Sequence, residues 1–287
     1  MTTTALKILA MVTMLIDHIA SFIPGTPYYL HWIGRISAPI FMYCCIIGYE
    51  KTENKLKYML RLYILNLVMG IMSGFLDIKY NFVRTILVIV IVIFIIDKFK
   101  NRDADAKKIL LSFIVVQILF FMFLILTEYL MGKQFRKLVF VILPVAQAFF
   151  VSIIMLDGGL FFVIFGVIMH IFNKNKKSFS ISYIAVTILC ILIYNTNITR
   201  RVFDVIDRLI YGIYPILAFI SEIFLGVNPA FMKTDLLYGD PQWMMIVSLP
   251  FILMYNGEKG KGLKYLFYFF YPAHIIILYF IGKILTP

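Results

Sequence analysis

Two titratable side chains, Asp17 and His18, lie side by side within an apolar segment that is long enough to cross a bilayer. Titratable groups at such depth are costly, so they usually belong to a site or to a structural pair. Lys7 precedes His18 by eleven residues, which at about 100° per residue is within about 20° of three whole turns. A cation near the start of the helix and an imidazole about 16 Å further along it therefore lie on one face. This spacing suits a ligand with an anionic head and a long reactive arm.

The C-terminal apolar segment repeats this arrangement. Lys264 begins it, and His274 follows ten residues later, about 15 Å deeper. Pro272 is expected to kink the helix just before His274. A single histidine in a membrane helix is more often a packed polar residue than a catalyst, but two at matching depth favour a site.

Arg35 lies one or two turns inside the second apolar segment. It is either a snorkelling arginine or the partner of Asp17 or of an anionic substrate, because the first two segments are joined by a short loop. An ion pair would explain why both charges are tolerated, and it would also be compatible with a purely structural role. Asp17 lies about 100° around its helix from His18, so we expect it to orient His274 or Arg35 rather than His18.

The composition assigns the chain to the polytopic membrane proteins. Of its 287 residues, 62% are hydrophobic and 15% are charged, far less charge than a soluble domain of this length carries. We predict one all-α integral-membrane domain over residues 1–287, built as a single bundle of ten or eleven transmembrane helices. Its helices are expected at residues 5–23, 29–49, 56–76, 82–97, 108–130, 138–156, 159–172, 181–195, 203–225, 242–255 and 263–285.

The formal net charge is +12, and the basic residues cluster in short loops such as 50–57, 98–108 and 259–264. The positive-inside rule puts these loops and the N-terminus in the cytoplasm. Nucleic acid is not an expected partner, because basic and aromatic residues do not interleave in a binding motif. The three cysteines fall within apolar runs, so we expect neither a disulfide framework nor a metal site.

Several blocks of the sequence resemble the TraX family, which is named for a conjugative-plasmid protein that N-acetylates pilin subunits. These blocks are LKILAMVTMLIDHI (6–19), GRISAPIF (34–41), GYEKTENKLKYMLRL (48–62), LDGGL (156–160), QW…LPFILMYNG (242–257) and KYLFYFFYPAH (264–274). The chain departs from the family pattern at Ser37-Ala38 and at Gly158-Gly159. The family is also similar to a wider set of membrane acyltransferases that carry a basic residue eleven positions before a histidine. Lys7 matches that residue, but a lysine lacks the bidentate fork of an arginine.

The resemblance implies transfer of an acetyl group from cytoplasmic acetyl-CoA, without a metal, to an acceptor at or beyond a bacterial cytoplasmic membrane. Lys7, Lys261 and Lys264 would bind the CoA phosphates, and the pantetheine arm would follow the first helix to His18.

The same resemblance suggests roles for the intramembrane groups. His18 would act as general base on the acceptor or carry the acetyl group covalently. Arg35 or a protonated His274 would stabilise the developing oxyanion, with Asp17 as an orienting group.

Two other function classes remain open from the sequence. A secondary transporter of a small solute or lipid would use the same buried Asp, His and Arg groups. An assembly or scaffold protein would pack these polar helices together. Within the acetyltransferase hypothesis, the acceptor is a peptide or pilin N-terminus, a glycan or a small molecule.

Overall fold

The structure is a computed structural model that describes residues 1–76, 78, 81–131, 136–228 and 235–285. Every regular element within these residues is helical. The helices are α1 (Thr3–Phe22), α2 (Leu30–Gly34), α3 (Ser37–Lys51), α4 (Lys55–Leu76), α5 (Phe82–Lys100), α6 (Ala106–Met131), α7 (Arg136–Phe149), α8 (Gly159–Phe172), α9 (Lys176–Tyr194), α10 (Ile198–Leu209), α11 (Tyr214–Leu225), a 3₁₀ helix (Pro241–Val247), α12 (Ser248–Leu253) and α13 (Lys264–Leu285).

The prediction of an all-α polytopic membrane protein is confirmed. Among the described residues, six helical segments are long and apolar enough to cross a membrane. Three further apolar segments have only 10–17 residues: Gly159–Phe172, Tyr214–Leu225 and Pro241–Leu253. The full-length segments are therefore fewer than the ten or eleven spans expected from hydropathy, because several apolar runs form shorter helices and α5 carries charged residues near both ends.

Three of the expected spans are interrupted. The run at 203–225 divides into α10 and α11 around Gly212, whose φ is +83°. The run at 242–255 is a 3₁₀ helix followed by a six-residue α-helix. The run at 29–49 corresponds to the single apolar segment Leu30–Lys51 but contains a two-residue turn at 35–36 between α2 and α3, where Pro39 lacks the N–H that would bond the carbonyl of Arg35.

The chain divides into two compact units. The first consists of Met1–Gly48, Ile168–Ser221 and Val227–Pro287, and the second of Tyr49–Val167 and Glu222–Gly226. In the first unit, α1 packs against α2 and α13, and the 3₁₀ helix packs against α2 and α9. All the predicted site residues belong to this unit. The single-domain expectation stays a prediction.

The second unit is built on close contact between α4 and α7. A Cβ atom at Gly70 would lie 2.3 Å from the Cβ of Ala148, and one at Gly74 would lie 2.4 Å from the carbonyl oxygen of Val141. These two glycines are four residues apart on α4, so they form the GxxxG pattern that lets helix backbones approach each other in membranes. The amide of Asn66, one turn before Gly70, donates to the carbonyl of Ala148 at 2.7 Å.

Helix α10 has an exposed apolar face. None of its residues is buried, and Val202, Val205 and Leu209 are 48%, 53% and 79% exposed. Five of its other positions carry charged residues: Arg200, Arg201, Asp204, Asp207 and Arg208. This pattern is typical of a helix that lies in the membrane–water interface.

We expect spin labels on α10 to report this interfacial position. In a cysteine-free background reconstituted in liposomes, a nitroxide at Val205→Cys should be more accessible to lipid-soluble oxygen than to a water-soluble nickel chelate. The matched label at Asp204→Cys, on the charged face, should show the opposite preference. Equal accessibility profiles at the two positions would contradict the interfacial orientation.

Candidate active site

Helices α1 and α13 run parallel and in contact. His18 contacts His274, and further along both helices Phe22 contacts Gly282. A Cβ atom at Gly282 would lie 2.4 Å from the carbonyl oxygen of Phe22, so the absence of a side chain there allows the two backbones to approach. The structure thus brings together the two helices that each carry a lysine near the start and a histidine deeper in the apolar segment.

The two histidines form a hydrogen-bonded pair. His18 Nδ1 lies 2.7 Å from His274 Nε2, and both residues are 5% exposed. The ring planes are within 8° of parallel and their centroids are 4.9 Å apart. Because the two nitrogen atoms are much closer than the centroids, the rings meet through their edges rather than their faces. This is the geometry of a direct N–H···N hydrogen bond.

The hydrogen bonds define the tautomers of both rings. His274 Nδ1 lies 2.7 Å from the carbonyl oxygen of Phe270, which can only accept, so this nitrogen carries a proton. In a neutral His274, Nε2 is then the acceptor, and His18 Nδ1 must donate to it. A neutral His18 therefore carries its lone pair on Nε2. The phenyl ring of Phe270 also stacks on the His274 ring, with the two ring centroids 4.7 Å apart. This contact helps to fix the orientation of the pair.

The N-terminus of α1 is bonded to the loop that precedes α13. The backbone N–H groups of Thr3 and Thr4 donate to the carbonyls of Glu258 and Lys259 at 2.9 and 3.1 Å. The Thr4 hydroxyl reaches the carbonyls of Lys259 and Lys261 at 2.8 and 2.7 Å. These bonds satisfy donors that a helix start otherwise leaves open, and they hold the basic loop against the beginning of α1.

Gly260 makes this contact possible. Its φ is +76°, and a Cβ atom there would lie 2.5 Å from the Thr2 hydroxyl. Lys259 and Lys261, on either side of it, are exposed. Lys7 is partly exposed on α1, with its ammonium 5.1 Å from the centroid of the Phe267 ring of α13. The structure therefore gathers positive charge at one end of the α1–α13 pair; the side chain of Lys264 lies outside its described part.

Asp17 contacts α2 rather than α13. Its Oδ1 lies 2.8 Å from His31 Nδ1 and 4.0 Å from Arg35 Nη2. The expected proximity to Arg35 is therefore present, whereas the suggested contact with His274 is not among the contacts of the described residues. The reason is rotational: Asp17 and His18 are about 100° apart on α1, so each faces a different neighbouring helix.

Arg35 also connects α1 and α2 to the 3₁₀ helix. Its Nη1 donates to Gln242 Oε1 at 3.3 Å. Asp240 caps the 3₁₀ helix by accepting from the Gln242 N–H at 3.0 Å. Burial raises the pKa of the Asp240 carboxyl, and the Arg35 charge and this hydrogen bond act in the opposite direction.

Sequence reasoning missed His31 and Gln242. His31 precedes Arg35 by four residues, a spacing that puts two side chains on the same helix face, so this spacing was an available signal. Gln242 belongs to a family-like block, but its link to Arg35 spans a sequence separation of 207 residues and has no local signal.

Comparison with known proteins identifies the family. Residues 2–216 match the family described as TraX protein. The chain belongs to the TraX family. Over 279 residues it is 23% identical to the probable fimbrial assembly protein FimC, serogroup H1, of Dichelobacter nodosus, and the alignment covers 95% of this chain and 92% of that relative. No solved structure matches the chain. The TraX match includes Lys7, Asp17, His18 and Arg35 and ends before α13.

Proposed function

We propose that this TraX-family protein transfers an acetyl group from acetyl-CoA to an amine or hydroxyl acceptor. The observation that carries the proposal is the buried His18–His274 pair. Its 2.7 Å hydrogen bond lets the His274 ring orient the His18 ring. A histidine that is oriented by a hydrogen-bonded neighbour is a common general base or nucleophile.

The tautomers of the pair suggest how the protein moves a proton. His18 Nε2 carries the lone pair that either removes a proton from the acceptor or attacks the acetyl carbonyl. In both cases His18 becomes positively charged, and its Nδ1 proton faces His274 Nε2. His274 can accept that proton or share it, because its own Nδ1 proton is bonded to the Phe270 carbonyl. The second histidine thus stabilises the charge that develops on the first.

The charged end of the α1–α13 pair fits an anionic cosubstrate. Lys7 and Lys261 belong to the two segments that hydrogen bonds hold together at the start of α1, and with Lys264 they would bind the phosphates. Acetyl-CoA supplies an activated thioester on a long flexible arm. The spacing of about 16 Å between Lys7 and His18 along α1 suits such an arm. Arg35 would contribute positive charge near the acetyl oxygen.

The comparisons support an acceptor connected with pili. The relative of this chain is named a probable fimbrial assembly protein, which favours pilin modification or assembly over an unrelated small-molecule reaction. We infer that the protein lies in the bacterial cytoplasmic membrane with its N-terminus and the loop around Lys259 in the cytoplasm. Acetyl-CoA would then approach from the cytoplasm, and the acceptor from the membrane or its outer side.

A reconstituted assay tests the proposal. Purified protein in liposomes is incubated with labelled acetyl-CoA and a synthetic peptide bearing a free α-amino group, and the acetylated peptide and released CoA are quantified. We expect both products in equal amounts. A transporter would instead exchange a solute across the bilayer without consuming acetyl-CoA, and that result would contradict the proposal.

Replacing Lys7 by glutamine should weaken cosubstrate binding selectively. Loss of one charge-assisted phosphate contact should raise the KM for acetyl-CoA about 10-fold, while kcat stays close to the wild-type value. Lys283→Gln is the matched control, because Lys283 is exposed in the last turn of the same α13. An unchanged KM for Lys7→Gln, or an equal increase for Lys283→Gln, would rule out this location for the phosphates.

A further inference from the structure

A second histidine-centred pair lies beside the first. His31 Nδ1 is 2.8 Å from Asp17 Oδ1, and Asp17 adjoins His18 in the sequence. Within one turn of α1, His18 therefore contacts α13 and the Asp17 carboxylate contacts α2. In a neutral His31 that donates to this carboxylate through Nδ1, the lone pair lies on Nε2. A carboxylate in this position orients the imidazole and stabilises the imidazolium that forms when Nε2 takes a proton.

The Asp17–His31 pair is held in place from several sides. A Cβ atom at Gly34 would lie 2.3–2.4 Å from the Asp17 side chain, so the carboxylate rests directly on the backbone of α2. Arg35 Nη2 lies 4.0 Å from the same oxygen atom. The rings of Tyr28 and His31 pack edge to face, with their centroids 5.3 Å apart. The side chain of His31 is therefore fixed in orientation without being enclosed.

The two pairs differ in exposure and in the end of the helix they face. His31 and Asp17 are half-buried, whereas His18 and His274 are buried. His31 follows the loop after the C-terminal end of α1, and this loop is bonded to the segment before the 3₁₀ helix through Tyr28, which donates to the Gly239 carbonyl at 2.5 Å. The Asp17–His31 pair therefore lies toward the end of α1 opposite to Lys7.

We propose that His31 is the base that takes the proton of an amine acceptor, with Asp17 as its positioning residue. This inference rests on the proposed acetyltransferase function and assigns the acceptor side of the same site. An amine acceptor must lose a proton after it attacks the acetyl carbonyl, so a base beside the acceptor completes the reaction.

Acetyl transfer to the amine forms one C–N bond, breaks the bond between the acetyl group and its carrier, and moves one proton. The lone pair of the neutral acceptor amine forms a C–N bond to the acetyl carbon, and one amine proton moves to His31 Nε2. The bond from the acetyl carbon to its carrier breaks, and the carrier leaves with the electron pair. The carrier is the CoA sulfur in direct transfer, or His18 Nε2 if His18 has been acetylated. The proton on His31 is then released to solvent through its partly exposed side. A CoA thiolate takes up one proton from solvent, whereas His18 leaves as the neutral imidazole with its proton on Nδ1 and its lone pair on Nε2.

The test compares two acceptors in the reconstituted full-length protein. The first is a synthetic peptide with a free α-amino group, and the second is hydroxylamine, a stronger nucleophile that depends less on a base. We expect His31→Gln to lower transfer to the peptide at least about 100-fold and transfer to hydroxylamine by less than about 5-fold. Asp17→Asn should reduce transfer to the peptide in the same selective way. His170→Gln, on α8, is the control and should leave both reactions unchanged.

The possible outcomes are distinguishable. If the wild-type protein acetylates neither acceptor, the proposed function fails. If the wild type is active and His31→Gln either retains peptide transfer or loses both reactions equally while remaining monodisperse with an unchanged Tm, the assignment of His31 is overturned. If His31→Gln is not monodisperse, His31→Asn and Asp17→Asn provide the same two-acceptor comparison, and an equal loss with both acceptors in a folded variant again overturns the assignment.

Discussion

Replacing His18 by glutamine is expected to lower acetyl transfer about 100- to 10,000-fold, the range typical for the loss of a positioned catalytic histidine. Glutamine keeps a polar side chain of similar length but provides no basic nitrogen. The expected loss is the same for the peptide amine and for hydroxylamine, because His18 acts on the acetyl group while His31 acts on the acceptor. Released CoA and acetylated product, measured in parallel in liposomes, provide the readout.

Two substitutions of His274, the partner of His18, should lower the rate of acetyl transfer to different extents. His274→Leu leaves the buried Nδ1–H of His18 without its acceptor and removes the group that fixes the tautomer, so we expect a loss of about 100-fold. His274→Gln retains an amide oxygen that can accept from His18 Nδ1 and should keep more activity than His274→Leu. A purely structural role for His274 would instead lower Tm in both variants without this order of activities.

Two results would contradict the proposed role of the histidine pair. One is wild-type transfer by a folded His18→Gln variant, and the other is equal loss of activity in the control His170→Gln. His170 is half-buried near the end of α8 and is not assigned to the site, so its replacement controls for the general effect of removing an imidazole from this chain.

Gly282→Ala is expected to damage both stability and activity. The new Cβ atom would lie 2.4 Å from the carbonyl oxygen of Phe22, and a backbone atom cannot move away as a flexible side chain can. Overpacking of this kind typically costs about 1–3 kcal/mol. Because the contact joins α1 to α13, it also shifts His18 relative to His274, and a displacement of about 1 Å in reacting groups can lower a rate about 100-fold.

Gly262→Ala is the matched control for this substitution. Gly262 precedes the same helix, and a Cβ atom there would meet nothing within 4 Å. Tm in detergent separates the stability effect from the catalytic one, provided that activity is measured well below the Tm of the variant. A Gly282→Ala protein with wild-type Tm and wild-type activity would show that the close approach of α1 and α13 is not required.

Much of the helical framework could be predicted from local sequence. The apolar runs and their breakers predicted the ends of α1, α4, α8 and α13 to within a few residues, because hydropathy and helix breakers act locally. Periodicity also predicted that Asp17 and His18 would face different partners. The division of the run at 203–225 was missed, because it depends on the turn at Gly212, whose φ of +83° has no signal in hydropathy.

The candidate site was predicted only in part. The sequence suggested that His18 and His274 lie at matching depth, and it suggested Arg35 as a neighbour of Asp17. It did not predict that His31 is the closest partner of Asp17. The i, i+4 relation of His31 to Arg35 was visible, but its meaning depends on how α2 is rotated against α1, which in turn depends on the contact between Gly34 and Asp17.

The sequence by itself determined that this is an α-helical membrane protein and that Lys7 and His18 share one face of its first helix. Both conclusions follow from composition and from the helical repeat, which depend only on nearby residues. Only the tertiary structure decided that His18 and His274, 256 residues apart, form a hydrogen bond, and that Asp17 pairs with His31. The physical reason is that the choice of facing helices depends on many long-range packing contacts, such as that of Gly282 with Phe22, which no local pattern encodes.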